Sequence, residues 1–197
     1  MRLVPIFAVA ALTVCAASSF ASFSGNKPES PMPSSSSGIP TETLTARQQA
    51  ERLYADAYDE IAKANEAAKG ENPKAAEKKY KKALDRALRA TEYDTTYHEA
   101  WNLVGYSSRK LGKLHDALAA YARCLRLRPD YAAAREYLGE AYLEMGNLEK
   151  AKEQLAMLEK LNVAEPLALL RTAIETYEKA HPAAPAAPAA TGTSGSN

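Results

Sequence analysis

HEAWNLVGYSSRKLGKLHDALAAYARCLRLRPDY, residues 98–131, runs straight into AAAREYLGEAYLEMGNLEKAKEQLAMLEKLNVAE, residues 132–165. Set side by side, the two stretches share a register. Gly105 returns as Gly139, Gly112 as Gly146 and Ala117 as Ala151, all at one offset (139−105, 146−112 and 151−117 each give 34). A fixed period of that length marks a solenoid, in which each copy is one supersecondary unit that buries its apolar face against the next. Within the first copy Trp101, Val104, Ser108 and Leu111 lie on one helical stripe, and Leu114, Ala117, Tyr121 and Cys124 form its partner. Pro129 stops the second helix, so each copy reads as an antiparallel helical hairpin.

The glycines divide into two kinds. Gly105 and Gly139 fall inside first helices, where glycine costs roughly 1 kcal/mol against alanine. Their reading is a close approach by the second helix, with Ala117 and Ala151 as the small residues that meet them. Gly112 and Gly146 follow Leu111 and Met145, where a left-handed residue ends a helix and reverses the chain.

With Trp101, Val104, Gly105, Gly112, Ala117, Tyr121 and Pro129 in place, the first copy resembles the tetratricopeptide repeat. The second keeps Leu138, Gly139, Tyr142, Gly146 and Ala151, with Arg135 for the tryptophan and Val163 for the proline, which implies a looser terminal copy. The resemblance implies an all-α, right-handed α-solenoid of antiparallel hairpins whose first helices line a concave groove. That groove would expose Glu99, Asn102, Tyr106, Arg109 and Lys110 beside Ala133, Glu136, Glu140, Leu143 and Glu144. The carboxylate clamp by which chaperone-binding members grip a peptide C-terminus is not reproduced. Tyr106 and Tyr137 stand where asparagines are wanted, and Ala133 where a lysine is wanted.

Upstream, the pattern continues in degenerate form. Tyr80, Ala83, Ala87 and Ala90 precede Leu114, Ala117, Tyr121 and Cys124 by the same offset (114−80, 117−83, 121−87 and 124−90 each give 34). Thr45 with Gln48 forms a capping box that opens a helix carrying Leu53 or Tyr54, Ala57 or Tyr58, Ile61, Ala64 and Ala68. Gly70 ends it, and Asn72 with Pro73 starts a second helix to about Tyr93. The turn comes too early for the repeat, which implies longer helices around a displaced loop. Downstream, Leu167, Leu170, Ile174 and Tyr177 give an amphipathic helix over 166–180, whose default role is to cap the open end of the solenoid.

The ends differ from this middle. Met1 and Arg2, then the apolar run Leu3 to Ala17, then small residues at Ser19 and Ala21, have the layout of a secretory leader over 1–21 cleaved before Ser22. Leu12-Thr13-Val14-Cys15 offers the alternative of a bacterial lipobox with a lipid anchor at Cys15, although Val14 departs from the small residue that motif wants. Residues 22–43 read as a Ser/Pro linker and 181–197 as an Ala/Pro tail, too poor in apolar groups to offset ordering entropy. The domain order is then leader 1–21, linker 22–43, degenerate hairpin 44–97, repeats 98–131 and 132–165, capping helix 166–180, and tail.

Composition excludes several classes. The 25 basic and 24 acidic side chains nearly cancel to +1, which argues against nucleic acid as a partner and against an anionic membrane. The basic run Lys78, Lys79, Lys81, Lys82 flanks the core position Tyr80 and reads as a solvated face. His98, His115 and His181 are isolated, and neighbouring His115 and Asp116 diverge on a helix, so no metal, cofactor or catalytic constellation is expected. Cys124, on an apolar stripe, reads as a small core residue.

The expectation is a non-enzymatic protein-interaction scaffold of an exported, bacterial type, periplasmic or secreted. It would bind a protein or peptide segment in the groove. Tyr106 would anchor the segment, and Glu136, Glu140 and Glu144 would select a basic or amine-bearing one, unless Arg109, Lys110 and Lys113 neutralise them. The alternative is a structural assembly subunit that packs against its own copy or a larger complex.

Overall fold

The computed structural model describes residues 44–182 apart from Glu71. The leader, Cys15, the linker up to residue 43 and the tail beyond Pro182 lie outside the described residues. Seven helices follow in order: α1 (Ala46–Lys69), α2 (Pro73–Tyr93), α3 (His98–Lys110), α4 (Leu114–Leu127), α5 (Ala132–Glu144), α6 (Leu148–Leu161) and α7 (Ala164–Ala180).

Local chemistry sets the boundaries. Thr45 Oγ1 accepts from Gln48 N at 3.2 Å while Gln48 Oε1 accepts from Thr45 N at 2.8 Å, a reciprocal box that satisfies two orphan donors at the start of α1. Asn72 Oδ1 caps α2 through Ala75 N at 3.1 Å, with Pro73 in the first turn. Gly112 and Gly146 end α3 and α5 at φ +73 and +76, the left-handed turns expected of them. The first hairpin has the longer helices expected, 24 and 21 residues against 13 and 14 in α3 and α4. Ala68 does not join its buried stripe; it falls in the last turn of α1, where α2 has only begun, and is exposed.

Consecutive helices pair into hairpins, and each hairpin packs on the next through α2 with α3, α4 with α5, and α6 with α7. The first helices also touch in sequence, α1 with α3, α3 with α5 and α5 with α7, whereas the second helices α2, α4 and α6 do not touch one another. Closer approach on the first-helix side curves the stack toward that side. By this arrangement α7 is the first helix of an unfinished further repeat. Its Leu170 and Ile174 are buried against Leu143, Ala151 and Leu158, with Leu167 and Tyr177 packed around them.

Three expectations need correction. Gly105 is not met by Ala117: a Cβ there would lie 2.5 Å from the ring of Tyr121, one turn further along α4. Gly139 is not met by Ala151 either, since its empty space is filled by the methyls of Leu170 from α7, 2.6 Å from a Cβ position. The two alanines are buried, but each glycine notch faces a larger side chain. Finally, α7 starts at Ala164 and not at Pro166, because Asn162 adopts a left-handed conformation (φ 52) that shortens the turn.

The second copy is also less loose than its substitutions suggest. Trp101 Nε1 donates to Thr95 O at 3.0 Å, and Arg135 Nη2 donates to Pro129 O at 2.6 Å, with Nε adding a bond of 3.1 Å. The donors and the acceptors are each one repeat apart (135−101 and 129−95 both give 34), so a guanidinium does in one copy what an indole does in the other.

Candidate functional site

The first-helix face is the surface on which the sequence placed its candidates. On α3, Asn102, Tyr106 and Arg109 share a stripe at i, i+4 and i+7; on α5, Glu136, Glu140 and Glu144 share another at i, i+4 and i+8. Asn102 and Glu136 hold the same repeat position, as do Tyr106 and Glu140, and Lys110 and Glu144 (136−102, 140−106 and 144−110 all give 34).

Only part of this face is exposed. Lys110 and Glu144 are open to solvent, and Glu99, Tyr106, Ala133 and Glu140 are half-buried. Asn102, Arg109, Glu136 and Leu143 are buried, contrary to the expectation that the whole set lines an open groove. The reason is packing between repeats. Tyr106 of α3 meets Tyr137 of α5 edge-on with ring centroids 5.1 Å apart, and α7 closes over the far side of α5.

Arg109 is the centre of the site. Its Nη2 lies 2.6 Å from Glu140 Oε2 and its Nη1 2.7 Å from Glu144 Oε1, so one guanidinium spans two carboxylates one turn apart. Its carbon also stands 5.6 Å from the Tyr106 ring centroid and 5.8 Å from that of Tyr137, within cation–π range. Tyr106 in turn donates its hydroxyl to Asn65 Oδ1 of α1 at 3.1 Å, and the same oxygen accepts from Tyr80 at 2.6 Å. One polar and aromatic network thus runs from α1 through α3 to α5. Among the described ion pairs, Arg109 alone joins the glutamate line; Lys110 feels Glu140 and Glu144 only as nearby charges, and Lys113 makes no ion pair with them.

Glu136 is set apart from the other two glutamates. It is 6% exposed, and among the described residues it has neither an ion pair nor a hydrogen bond. Burial pushes its carboxyl up to about 8, the nearby charge of Glu140 adds to the effect, and Arg109 opposes it. Asn102 is 5% exposed, and its Oδ1 has no partner among the described residues. Glu99 leaves the stripe and turns to the start of α3, where its Oε2 lies 2.9 Å from His98 Nδ1. Cys124 is fully buried and its thiol is pushed up to about 12 by burial, so it is a core residue and a poor nucleophile.

Asn65, and the part that Tyr80 and Tyr137 play in this site, are not visible in the sequence reading. Tyr80 serves the core stripe as well as the network. Asn65 gives the clearest available signal, a polar residue adjoining the buried stripe of α1 at Ile61 and Ala64. No group of three or more His, Cys, Asp or Glu side chains among the described residues is arranged to hold a metal ion. None of the described helices is long and apolar enough to cross a membrane.

Comparison with known proteins agrees with this architecture. A family model described as tetratricopeptide repeat matches residues 109–174, from the end of α3 into α7. The chain is 30% identical over 90 residues to the tetratricopeptide repeat-containing protein trd-1 of Caenorhabditis elegans, a stretch covering 46% of this chain and 12% of that protein. Among solved structures it is similar to the first tetratricopeptide domain of Spaghetti bound to an HSP90 peptide (TM-score 0.50, 21% identity, covering 67% of this chain and 95% of that one). It is also similar to SycD, the type III secretion translocator chaperone of Yersinia enterocolitica (TM-score 0.53, 16% identity, covering 70% and 88%). The helical order, the repeat register and these matches together show tetratricopeptide repeats over residues 109–174, within an all-α, tetratricopeptide-like solenoid.

Proposed function

We propose that the protein is a non-enzymatic scaffold that holds a segment of a partner protein along the first-helix face of α1, α3, α5 and α7. The observation that carries this reading is the face itself. The second helices leave it uncovered, and it presents half-buried Tyr106 and Tyr137 between exposed polar ends at Lys110 and Glu144. Aromatic groups of this kind supply contact area at little entropic expense, while the polar rim sets orientation. The peptide bound by Spaghetti and the chaperone role of SycD are in keeping with it. We further propose that the leader-like residues 1–21 deliver the chain to a bacterial envelope, ending either at Ser22 or at a lipidated Cys15. Intact mass of the mature protein separates the two.

Site-specific photocrosslinking in the producing cell tests the groove. A photoreactive residue at Lys110 or Glu144 is expected to give adducts with a partner protein that the same residue at Lys82 or Glu149, on second helices, does not. Adducts only from the second-helix positions would refute the reading. Adducts of twice the chain's mass from the concave positions would make the protein an assembly subunit that packs on its own copy.

A further inference from the structure

The charges on the first-helix face do not balance. Facing one another are Arg109 and Lys110 from α3, Glu136, Glu140 and Glu144 from α5, and Glu165 from the start of α7. Arg109 is used twice, by Glu140 and Glu144. No ion pair or hydrogen bond among the described residues answers Glu136, which is 6% exposed and feels Arg109 only as a nearby charge. An ionised carboxylate taken out of water without a cation or donors is among the most expensive groups a fold can carry. Asn102 repeats the defect at the equivalent position of α3, as a 5% exposed amide whose Oδ1 has no donor among the described residues. Both positions lack a donor among the described residues, and at Glu136 the missing donor is one that also brings positive charge.

We propose that this face binds a basic segment of a partner protein, with a lysine or arginine side chain seated at Glu136. The assignment rests on the groove reading above and moves selectivity from the glutamate line to one of its members, since Glu140 and Glu144 are already held by Arg109. A guanidinium has five donors and an ammonium three, enough to serve both oxygens of the Glu136 carboxylate. The Tyr106 and Tyr137 rings, which already flank the guanidinium of Arg109, give such a guest an aromatic wall. An acidic segment would meet surplus carboxylates and is excluded by the same geometry.

The test uses the full chain with fluorescein-labelled hexa-arginine and hexa-glutamate peptides, read by fluorescence anisotropy at about 150 mM salt so that diffuse attraction is screened. Hexa-arginine is expected to bind and hexa-glutamate not to. At about pH 9, where Glu136 is ionised, Glu136→Gln should weaken hexa-arginine binding about tenfold, as loss of a charge-assisted hydrogen bond does, while Glu149→Gln on the exposed face of α6 leaves it unchanged. Circular dichroism confirms that both variants are folded. Binding by the unaltered chain should also strengthen as pH rises through about 8, where Glu136 ionises, and the Glu136→Gln variant should lose that rise. Failure of hexa-arginine to bind, or a folded Glu136→Gln variant that binds it unchanged, overturns the assignment; so does equal weakening by Glu149→Gln, which would mean general acidic attraction. If these fail while crosslinks still come from Lys110 and Glu144, the groove reading stands without its basic partner. If the concave crosslinks are absent too, both fall.

Discussion

Helices α3 and α5 occupy the same place in successive repeats and have the same length of 13 residues, yet their surroundings are complementary. The glycine of α3, Gly105, is filled from inside its own hairpin by the rigid ring of Tyr121; that of α5, Gly139, is filled from outside by the flexible end of Leu170. The α3 stripe carries a buried cation at Arg109, and the α5 stripe carries the carboxylates that clasp it. A repeat therefore fixes where side chains point, while the next helix along decides what they meet. For α5 that next helix is α7, which makes the terminal element part of the site's support as well as a cap.

The largest effect should come from removing that support. Ending the chain after Val163 deletes α7 and exposes the surface that Leu170 and Ile174 cover, at roughly 1.5–3 kcal/mol for each buried side chain, or about 3–6 kcal/mol for the pair. Thermal unfolding should drop accordingly, and hydrogen exchange should lose protection in α5 and α6 before α1 to α3. Uniform loss across all helices would mean that the two regions are not separable in this way.

Next in size is the ionic clasp between α3 and α5. Arg109→Met keeps the apolar stem but removes the guanidinium from Glu140 and Glu144, and it should cost about 2 kcal/mol, in the range for hydrogen bonds to charged groups. Both glutamates can still reach water, being 28% and 43% exposed in their side chains, so the loss should stay below that of stranding a fully buried charge. Urea unfolding with an unchanged slope checks it.

The glycines sharpen the comparison further. Gly105→Ala drives a Cβ into the buried ring of Tyr121 and should destabilise by about 1–2 kcal/mol after the gain in helix propensity. Gly139→Ala meets the end of the buried Leu170 side chain, whose methyls and Cγ must shift but yield more readily than a ring, and should cost about 1 kcal/mol less. Equal melting temperatures for the two variants would contradict the distinction between a rigid and a yielding neighbour.

The remaining effect is the one with a sign to read. Glu136 has a folded-state value near 8, above the ordinary value of 4.5 that applies to the unfolded chain, so between these the folded state binds the extra proton. Stability contributed by the protonated group is present below about 4.5 and is lost as pH rises through about 8. Glu136→Gln should flatten that decline, by at most ~1.4 kcal/mol per pH unit, and be the more stable protein at pH 9. Thermal melts of the two proteins across this range provide the check.

Much of the fold was legible because its determinants are local and periodic. The capping box at Thr45, the proline at Pro73, the left-handed Gly112 and Gly146 and the repeat register each act within a few residues or between identical copies. What the sequence hid is what crosses from one helix to a non-identical neighbour. Nothing near Gly139 announces that Leu170, almost a full repeat further along the chain, will fill it. The glutamate line looked uniform because i, i+4 spacing places three side chains on one face without saying which of them the buried Arg109 will reach. Its two contacts fall to Glu140 and Glu144, and the burial of Glu136 follows from packing that no composition encodes.

The claim on which the site depends is that Glu136 is a buried carboxyl without a partner. Carbon-detected NMR titration of the glutamate carboxyls, with Glu136→Gln assigning the resonance, measures it directly. The account predicts a midpoint near 8 for that one carboxyl, falling when hexa-arginine is bound. A midpoint close to 4.5 in the free protein would show that Glu136 is solvated or already paired, and would contradict the account.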